Sequence, residues 1–593
     1  MRRAVTAGIG AHGRARGAVA RSVGVVVSLR TFHSKPADGY SEALGTAAKT
    51  TDVPAGQVAA EPAPPFGESR VSMADVAARR AKAGRLIAGA AAYSDTDMFK
   101  GPSAGKPRAR RFDHHLSAES AIREPCVLKQ AAKHLKKPGL ISLGGGLPCA
   151  ENFPIASLSM HIPLAPHFSE EATVRNGVDV TVGKYDAAAG IAEYDLATAL
   201  NYGQANGSPQ MNRFVAEHTE IAHNPPYADW RSCLTVGSTA ALEQALRMLC
   251  DRARGDAIIT EEYSFSTAVE TAMPLGVKVF GVEMDGEGLL PESMDELLTT
   301  WDETARGARK PHVLYTVPSG QNPTGATQGE RRRRDIYAVA SKHDIYILED
   351  EPYYFLQMPP YRRGQSVVAK PDENVDDFLA GLVPSLLSMD VDGRVMRMDS
   401  FSKVVVPGSR LGWVTASEQM IERYIRHAEV CNQGPSGFSQ VLMHKLLDEQ
   451  WGHEGYFRWL MHLRGEYTRR RNALLDACED FLPREVTSWQ APMAGMFHWI
   501  KVDHTQHPLF TSPSAMVRTG DPGARILQIE EAIFEKCIAN GVLVGRGSWF
   551  RAEHGRPPRG LFFRTTFAAA TPENMREAIS RFGAAVREVY GMN

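Results

Sequence analysis

The sequence predicts an α/β fold with a mostly parallel sheet and a second, smaller α+β domain. Short apolar runs such as "CLTVGS", "HVLYTVPSG" and "DIYILEDEPYY" alternate with helix-forming stretches between about residues 171 and 435. Short buried strands that alternate with helices are typical of a parallel sheet covered on both faces. From about residue 436 the pattern changes to long helices with a few strands, including "GMFHWIKV" and "GLFFRTTFA". We therefore assign residues 171–435 to a large domain and residues 436–593 to a small one.

Composition narrows the class of protein. The 593 residues include 67 basic and 68 acidic side chains, a balance that favours no nucleic-acid partner. We find no apolar run long enough to span a bilayer, so no membrane association is expected. The seven cysteines are odd in number and lack CxxC spacing. This pattern argues against a disulfide framework or a zinc site and fits a reducing compartment.

The N-terminal region differs from the rest of the chain. Residues 1–37 contain no Asp or Glu but six arginines, and this composition predicts a mitochondrial transit peptide over residues 1–34. The predicted location is the mitochondrial matrix; a disordered basic tail on a cytoplasmic protein is the alternative. Residues 35–112 are rich in Ala, Gly, Pro and Ser and predict a low-complexity, disordered linker. Residues 113–170 would form the N-terminal part of the small domain.

Ligands in such sheets bind beyond the carboxyl ends of the strands, so polar residues there are the first candidates. Lys403 lies between Ser402 and the apolar run Val404–Val406. A lysine beside a core loses solvation, which lowers its pKa and makes the neutral amine available for a Schiff base with an aldehyde. A single lysine at a strand end can equally extend its amine into solvent, and the neighbouring strand ends must decide.

Two further strand ends carry groups that could face a ligand. Ser238, Thr239 and Ala240 open a helix after a strand, and free N–H groups at a helix N-terminus can hold a phosphate. Simple capping of the helix by Ser238 is the alternative. In "PSGQNPTG", the Asn322 amide could donate a hydrogen bond to a ligand oxygen, or it could only begin a turn.

The remaining strand ends also carry polar residues that could bind a ligand. Asp350 ends an apolar strand, where its carboxylate needs a partner such as a pyridinium N–H or an arginine. Tyr353 follows three residues later, within reach of the same ligand. Ser400, Ser402 and Arg410 offer two hydroxyls and a guanidinium, which together suit a phosphate. An anion cradle, a carboxylate, an amide, a phenol and a lysine amine together predict a pocket for pyridoxal 5'-phosphate.

The same segments resemble a known family. "SFSKVVVPGSRLGW" is similar to the lysine signature S-x-S-K-x-x-x-P-G-x-R-x-G of class I aminotransferases, and "PSGQNPTG" and "EDEPYY" lie at the expected distances upstream. "LISLGGGLPCAENFP" resembles the opening of a subgroup with fungal aromatic and 2-aminoadipate aminotransferases and mammalian kynurenine/aminoadipate aminotransferase. The resemblance covers about residues 115–590. It implies the fold type I architecture of pyridoxal-phosphate-dependent transferases, with a seven-stranded sheet in the large domain.

The resemblance assigns a role to each cofactor residue. Lys403 matches the Schiff-base lysine and catalytic residue, and Asp350 matches the partner of the pyridine nitrogen. The other matches are the ligands of the phenolic oxygen (Asn322, Tyr353), the aromatic on the ring face (Tyr263), the phosphate site (Ser238, Thr239, Ser400, Ser402, Arg410) and a tyrosine that reaches the phosphate from the second subunit of a homodimer (Tyr202).

The substrate side is implied in the same way. Arg564 matches the arginine that grips the substrate α-carboxylate, with a surface arginine on an edge strand as the alternative. Asn322 and Gly145 are also expected at the substrate. The implied reaction moves an amino group from an aromatic L-amino acid, or from 2-aminoadipate or kynurenine, to 2-oxoglutarate by ping-pong kinetics. A β-lyase or synthase on the same fold is one alternative, and a non-catalytic regulator or scaffold is another.

Several segments lie outside the resemblance. Insertions are expected around residues 166–195, 365–393 and 550–560, and the last of these lies near Arg564. The run Arg331–Arg334 is expected to be a solvated helix face rather than a nucleic-acid site. We predict no metal site, because Asp113–His115 lacks further ligands at metal spacing and is expected at the surface.

Overall fold

The fold is seen in a computed structural model that describes residues 71–592 apart from residues 104, 132–133, 135–136, 138, 365–373 and 513–520. The predicted transit peptide lies outside the described residues, as does part of the second expected insertion. Within them, the strands are β1 Ser157–Ile162, β2 Val178–Gly183, β3 Trp230–Thr235, β4 Ala257–Glu261, β5 Lys278–Val282, β6 Met284–Asp285, β7 Gly288–Leu289, β8 Val313–Thr316, β9 Tyr346–Asp350, β10 Val395–Ser400, β11 Gly412–Ser417, β12 Thr487–Trp489, β13 Phe497–Val502, β14 Gly545–Arg546 and β15 Leu561–Thr566.

Helices lie between and around these strands. In the same residues they are α1 Met73–Ala83, α2 Ala118–Ala121, α3 Val127–Ala131, α4 Glu170–Asn176, α5 Leu196–Ala199, α6 Pro209–Ala222, α7 Ser238–Leu249, α8 Ser266–Ala272, α9 Pro291–Thr299, α10 Glu303–Arg306, α11 Glu330–Lys342, α12 Val375–Ala380, α13 Leu386–Met389, α14 Glu418–Cys431, α15 Gly437–His444, α16 Gly452–Phe481, α17 Pro508–Thr511, α18 Pro522–Ala539 and α19 Pro572–Tyr590. None of these helices is both long and apolar enough to cross a membrane.

A seven-stranded sheet in the order β3-β11-β10-β9-β8-β4-β5 forms the centre of the described large domain. Strands β10, β9, β8, β4 and β5 run parallel to one another, whereas β11 runs antiparallel to both of its neighbours, β10 and β3. Every residue of β8, β9, β10 and β11 is buried, as expected for strands covered by helices on both faces. The predicted α/β class and mostly parallel sheet are confirmed.

The C-terminal part contains a second sheet. Strands β12, β13, β15 and β14 pair antiparallel in that order, and the long helix α16 packs against α19. Strand β15 is therefore internal to this sheet, with β13 on one side and β14 on the other. A smaller antiparallel pair, β1 with β2, joins residues on both sides of the boundary that we expected at residue 170. That boundary does not separate two folding units.

The segment before residue 113 corrects the sequence prediction. Residues 71–112 were assigned to a disordered linker, but α1 is capped by a reciprocal Ser72–Asp75 pair and packs on the large domain. Val76 and Phe112 are both buried in its core. The Arg80 guanidinium donates to both carboxylate oxygens of Glu217 at 3.0 and 2.9 Å from Nε. The contact of α1 with the large domain involves few apolar side chains, so the amino-acid composition does not predict it.

Two polar runs also differ from expectation. The run Arg331–Arg334 does begin helix α11, but Arg333 is fully buried rather than solvated. His115, expected at the surface, is 5% exposed. Arg333 is compensated by Ser319 and Glu351, and His115 faces Asp344. These residues lie elsewhere along the chain, and a local reading of the sequence cannot see them.

Candidate active site

The functional side chains lie at the carboxyl edge of the large sheet. Lys403 follows β10 and is half-buried beside Val404, which is buried. Its Nζ makes no hydrogen bond or ion pair with any residue that the structure describes. Burial lowers the pKa of Lys403, and the positive charges of Arg410 and Arg564 lower it further. The amine therefore reaches its neutral, nucleophilic form more easily than a solvated lysine does.

Asp350 ends β9, next to β10 in the sheet. The side chain is buried, and Oδ2 accepts a hydrogen bond of 2.8 Å from the Tyr315 hydroxyl. Oδ1 is also buried and has no hydrogen-bond partner of normal geometry in the described part of the chain. Burial raises the pKa of Asp350 to about 6, against the opposing effect of the Tyr315 hydrogen bond. A buried carboxylate oxygen without a donor is suited to receive an N–H from a ligand.

An anion cradle lies at the junction of β3, β10 and β11. Gly237 precedes helix α7 with φ +79°, and a Cβ at this position would lie 2.5 Å from Arg410 Nη2. The Arg410 guanidinium thus sits against the N-terminus of a twelve-residue helix. Arg410 Nη1 donates to Ser402 Oγ at 3.3 Å, and Ser400 Oγ donates to Ser402 Oγ at 2.8 Å. Backbone N–H groups, hydroxyls and a guanidinium converge here, as phosphate binding requires.

The remaining predicted phosphate residues lie at the same helix terminus. Ser238, Thr239 and Ala240 form the first turn of α7, so their backbone N–H groups have no partners within the helix. Ser238 is not the residue that caps this helix, because the capping position belongs to Gly237 and no side chain caps it. The capping alternative is therefore excluded, and the Ser238 hydroxyl instead lies near the Asp350 carboxylate, where it opposes the rise of the Asp350 pKa.

Asn322 joins the cofactor side of the site to the substrate side. Its side chain is buried in the loop after β8, and Oδ1 accepts a 2.8 Å hydrogen bond from Arg564 Nη1. Because Oδ1 faces Arg564, the Nδ2 amide group is left to donate a hydrogen bond to a ligand. Gln321 holds this loop, because its Nε2 donates to the Tyr263 carbonyl at 2.6 Å. Tyr353 is buried nearby, with its ring edge-on to Phe497.

Arg564 lies on β15 in the middle of the small sheet, which excludes the edge-strand alternative. Its guanidinium carbon lies 4.4 Å from the ring centres of both Phe497 and Phe550. Burial lowers the pKa of Arg564 from its usual value. Phe550 belongs to the expected insertion around residues 550–560, so that segment does line the arginine. The result is a carboxylate-binding group between two aromatic walls.

Tyr263 provides an aromatic face between the two sheets. The side chain is buried, and its ring contacts Trp499 and Phe562 at centroid distances of 5.3 and 5.2 Å. Its backbone also pairs with Arg551 in an isolated bridge. Burial raises the pKa of the Tyr263 phenol, with the Glu262 charge adding to the effect. The ring therefore stays neutral and apolar, as an aromatic that stacks on a planar ligand must be.

Two predicted residues are not brought together with the others. Tyr202 is 55% exposed, and a Cβ added at Gly145 would meet no other atom within 4 Å. The two segments do meet each other, since Asn201 Nδ2 donates to the Pro148 carbonyl at 2.9 Å. Within one chain, neither residue contacts the cradle or Arg564 in the described structure.

A buried charge network behind the site was missed at the sequence level. Arg333 donates to the Ser319 hydroxyl at 2.8 Å and lies 3.3 Å from Glu351. Arg397 forms a two-pronged ion pair with Asp399, with both distances 2.8 Å. These pairs hold the loop that carries Asn322 and the end of β9 that carries Asp350. The one available signal was charged residues inside otherwise apolar strand patterns, such as Arg397 and Asp399 in "RVMRMDS".

These groups fit pyridoxal phosphate. The Lys403 amine, which has no partner, suits an aldehyde. The buried Asp350 Oδ1 suits the N–H of a ring nitrogen, and the Gly237–Arg410 cradle suits a phosphate. The Asn322 amide and the buried Tyr353 phenol supply donors for a ring oxygen. Each of these side chains therefore has a matching group on pyridoxal phosphate, and none is matched to a group of like charge.

Comparison with known proteins points the same way. The family model for "Aminotransferase class I and II" matches residues 183–582. An aromatic amino acid aminotransferase of Schizosaccharomyces pombe is 44% identical over 81% of this chain and 98% of its own length. A mitochondrial kynurenine/alpha-aminoadipate aminotransferase of Bos taurus is 30% identical over 80% of this chain and 99% of its own.

A solved structure extends the similarity to three dimensions. The crystal structure of the aminotransferase Aro8 from Candida albicans superposes with a TM-score of 0.74 at 40% sequence identity. The match covers 82% of this chain and all of that one. The chain belongs to the class I and II aminotransferase family.

Proposed function

We propose that this protein is a pyridoxal-phosphate-dependent aminotransferase that takes the amino group of aromatic L-amino acids and passes it to 2-oxoglutarate. The observation that carries the proposal is the convergence at one sheet edge of a lysine amine without a partner, a buried carboxylate oxygen without a donor, and an arginine-lined anion cradle. The names of the relatives support transamination, and the aromatic walls at Arg564 support an aromatic donor.

The residues that would hold the cofactor follow from the site geometry. Ser238, Ser402 and Arg410 would bind the phosphate at the N-terminus of α7. Asp350 Oδ1 would accept the ring N–H, and Tyr263 would cover one ring face. When bound, pyridoxal phosphate supplies a carbonyl carbon that carries the amino group and a ring that accepts electron density.

Lys403 is the residue placed to move protons. Its lowered pKa raises the neutral fraction of the amine, which a general base needs. In the proposed reaction its Nζ would remove a proton from the substrate Cα and later return one to the cofactor carbon that is bonded to the amino nitrogen. Val404 is buried at the same point of the chain and keeps water from that side.

Arg564 is the residue placed to orient the substrate. A planar guanidinium can bind an α-carboxylate through two parallel hydrogen bonds, which fixes the position of the Cα–H bond. Phe497 and Phe550 flank the guanidinium and would contact an aromatic side chain better than an acidic one. 2-Aminoadipate and kynurenine remain second candidates, supported by the name of the Bos taurus relative.

A β-lyase or a synthase would use the same residues, so the test must follow the amino group. Purified protein with bound cofactor is mixed with phenylalanine, tyrosine, 2-aminoadipate or kynurenine singly, and the visible absorption is recorded. We expect the visible band to bleach with aromatic donors and to return when 2-oxoglutarate is added. Ammonia release without recovery by 2-oxoglutarate would support the lyase instead.

Replacing the lysine tests the chemistry directly. Lys403→Ala is expected to lower kcat by at least about 1,000-fold, because the covalent attachment and the general base are lost together. Lys82→Ala, on the exposed face of α1, is the matched control and should keep full activity. Full turnover by Lys403→Ala would overturn the assignment.

We further propose that the enzyme is a homodimer in the mitochondrial matrix. Tyr202 is exposed on a single chain, which is consistent with a role across a subunit interface. The acid-free, arginine-containing residues 1–34 support import into mitochondria. A fluorescent fusion of the full chain should localise to mitochondria, whereas a fusion lacking residues 1–34 should stay in the cytoplasm.

A further inference from the structure

A second cluster of reactive side chains lies at the opposite edge of the large sheet. His114 and His115 belong to a short turn, Asp113–His115, before α2. Asp344 lies in the connection between α11 and β9. Because Asp350 ends the same strand, Asp344 is about 20 Å from the active-site carboxylate at the usual rise per strand residue. The cluster is therefore separate from the site described above.

The three side chains point their ligand atoms at one another. His114 Nε2 lies 2.7 Å from Asp344 Oδ2, and His115 Nε2 lies 3.3 Å from the same oxygen. One nitrogen of each imidazole and one carboxylate oxygen fall within 4.8 Å of one another. The other oxygen of Asp344, Oδ1, faces Arg110 at 3.3 Å. Oδ2 is thus the oxygen directed at both imidazoles.

His115 gives an independent sign of a missing ligand. Its side chain is buried, and Nε2 has no hydrogen bond of normal geometry with any described residue, although Asp344 Oδ2 is near. Stacking on Phe112 and on His312, at centroid distances of 5.8 and 4.8 Å, fixes the plane of the ring. A buried imidazole nitrogen that faces Asp344 without a well-aligned hydrogen bond is a position at which a ligand atom can bind.

The charged groups near the cluster are Arg110, which pairs with Asp344, and Arg111, which is directed to Asp113 instead.

We propose that His114, His115 and Asp344 form a binding site for a divalent transition-metal ion of the Zn²⁺ type. The two imidazole nitrogens are borderline ligands and the carboxylate oxygen is a hard one. This mixed set suits Zn²⁺ or Co²⁺ better than Mg²⁺ and Ca²⁺, which prefer oxygen ligands alone. Bonds of about 2.0–2.1 Å in a tetrahedron separate ligand atoms by about 3.3 Å. The His115–Asp344 distance already has this value, and the His114–Asp344 pair would open slightly.

The fourth position would belong to water, because His114 is half exposed. An ion bound there would join the chain segment that leads into the large domain to the α11–β9 connection, 230 residues later. Metal binding would therefore stabilise the folded chain, and the stabilisation would rise with the logarithm of the free ion concentration once that concentration exceeds Kd. It would do so without contact with the transamination site.

The test uses the full-length enzyme with its cofactor bound, washed free of unbound cofactor and amino acids and treated with a chelator. Co²⁺ is titrated first, because its visible absorption reports coordination geometry and separates nitrogen and oxygen ligands from thiolates. The thiol control matters, since Cys149 and Cys431 are exposed. We expect one Co²⁺ per chain, a tetrahedral-type spectrum without thiolate bands, displacement by Zn²⁺, and a higher Tm with either ion.

Variants locate the ion. His114→Ala and Asp344→Asn are each expected to weaken binding by more than about 100-fold, since groups in the outer shell alone cost about 10–100-fold. Asp344→Asn suits a position with φ +55°, which Asn tolerates well, so the chain should still fold. His161→Ala is the matched control, because His161 is an exposed histidine paired with Asp179. Equal affinity in the two cluster variants and the parent, thiolate bands, or no binding to the parent would each overturn the proposal.

Discussion

At the scale of single residues, the buried carboxylate of Asp350 lowers the stability of the cofactor-free protein. Its carboxylate is buried with one oxygen unpartnered, and its pKa is raised to about 6 from 3.8. The folded chain therefore binds a proton more tightly than the unfolded chain does between about pH 4 and pH 6. Stability contributed by this group falls as pH rises through that window, and the loss is complete above about pH 6.

Asp350→Asn should consequently stabilise the cofactor-free protein while destroying its activity. The shift in pKa corresponds to about 3 kcal/mol at pH 7, and the gain should vanish below about pH 4. Loss of the charge opposite the ring nitrogen should lower kcat/KM by at least about 100-fold. Urea unfolding of the apoprotein between pH 4 and 8, with exposed Asp376→Asn as control, measures the first effect. Equal pH slopes for Asp350→Asn and the parent would contradict it.

At the scale of elements, helix α1 depends on charge rather than on apolar area. Val76 is its one buried residue in the described structure, whereas Arg80 contacts both Glu217 and Asp448. Both carboxylates are 2% exposed, and His453 Nε2 lies 3.0 Å from Glu217. Removing the guanidinium leaves two buried acids with fewer partners.

Arg80→Ala is therefore expected to destabilise the protein by about 3 kcal/mol, the usual effect of breaking a buried ion pair. Lys82→Ala lies on the exposed side of the same helix and should change stability by no more than about 0.5 kcal/mol. Denaturant unfolding of both variants, with hydrogen exchange across residues 71–83, measures the difference. A similar small effect for both substitutions would show that α1 does not rely on this ion pair.

At the scale of the whole molecule, a group of apolar side chains is exposed on the single chain. Ile141 and Leu143 are 86% and 95% exposed, and they lie in the segment that contains Gly145. Ile122, Val127 and Leu128 are more than two-thirds exposed as well. Large apolar side chains that stay this exposed on a single chain are typical of a surface that another protein covers, which supports the proposed homodimer.

The corresponding prediction concerns mass in solution. Light scattering on the parent enzyme should give twice the mass of one chain, and the double variant Ile141→Ser with Leu143→Ser should give one chain at micromolar concentration. Leu543→Ser, at a leucine that is 74% exposed on the small domain, should leave the mass unchanged. A monomeric parent, or a double variant with the parent's mass, would exclude this interface.

The sequence predicted the parts of the molecule that local pattern determines. Lys403, Asp350, Asn322 and Arg410 lie at strand ends, and strand ends can be found from apolar runs and turn residues. The docking of α1, the burial of Arg333 and the meeting of His115 with Asp344 depend on partners far away along the chain. Such partners have no local signature, so composition assigned these residues to a linker or to the surface.

The order of strands has a consequence for synthesis. Strand β3 pairs with β11, with Thr235 opposite Gly412, and these two strands bring Gly237 against Arg410. A ribosome that adds about 5–20 residues per second needs roughly 10–35 s to travel from one strand to the other. During that interval the nascent chain carries the helix terminus but not the guanidinium or the lysine. Capture of the cofactor is therefore a late event, restricted to chains that have emerged beyond β11.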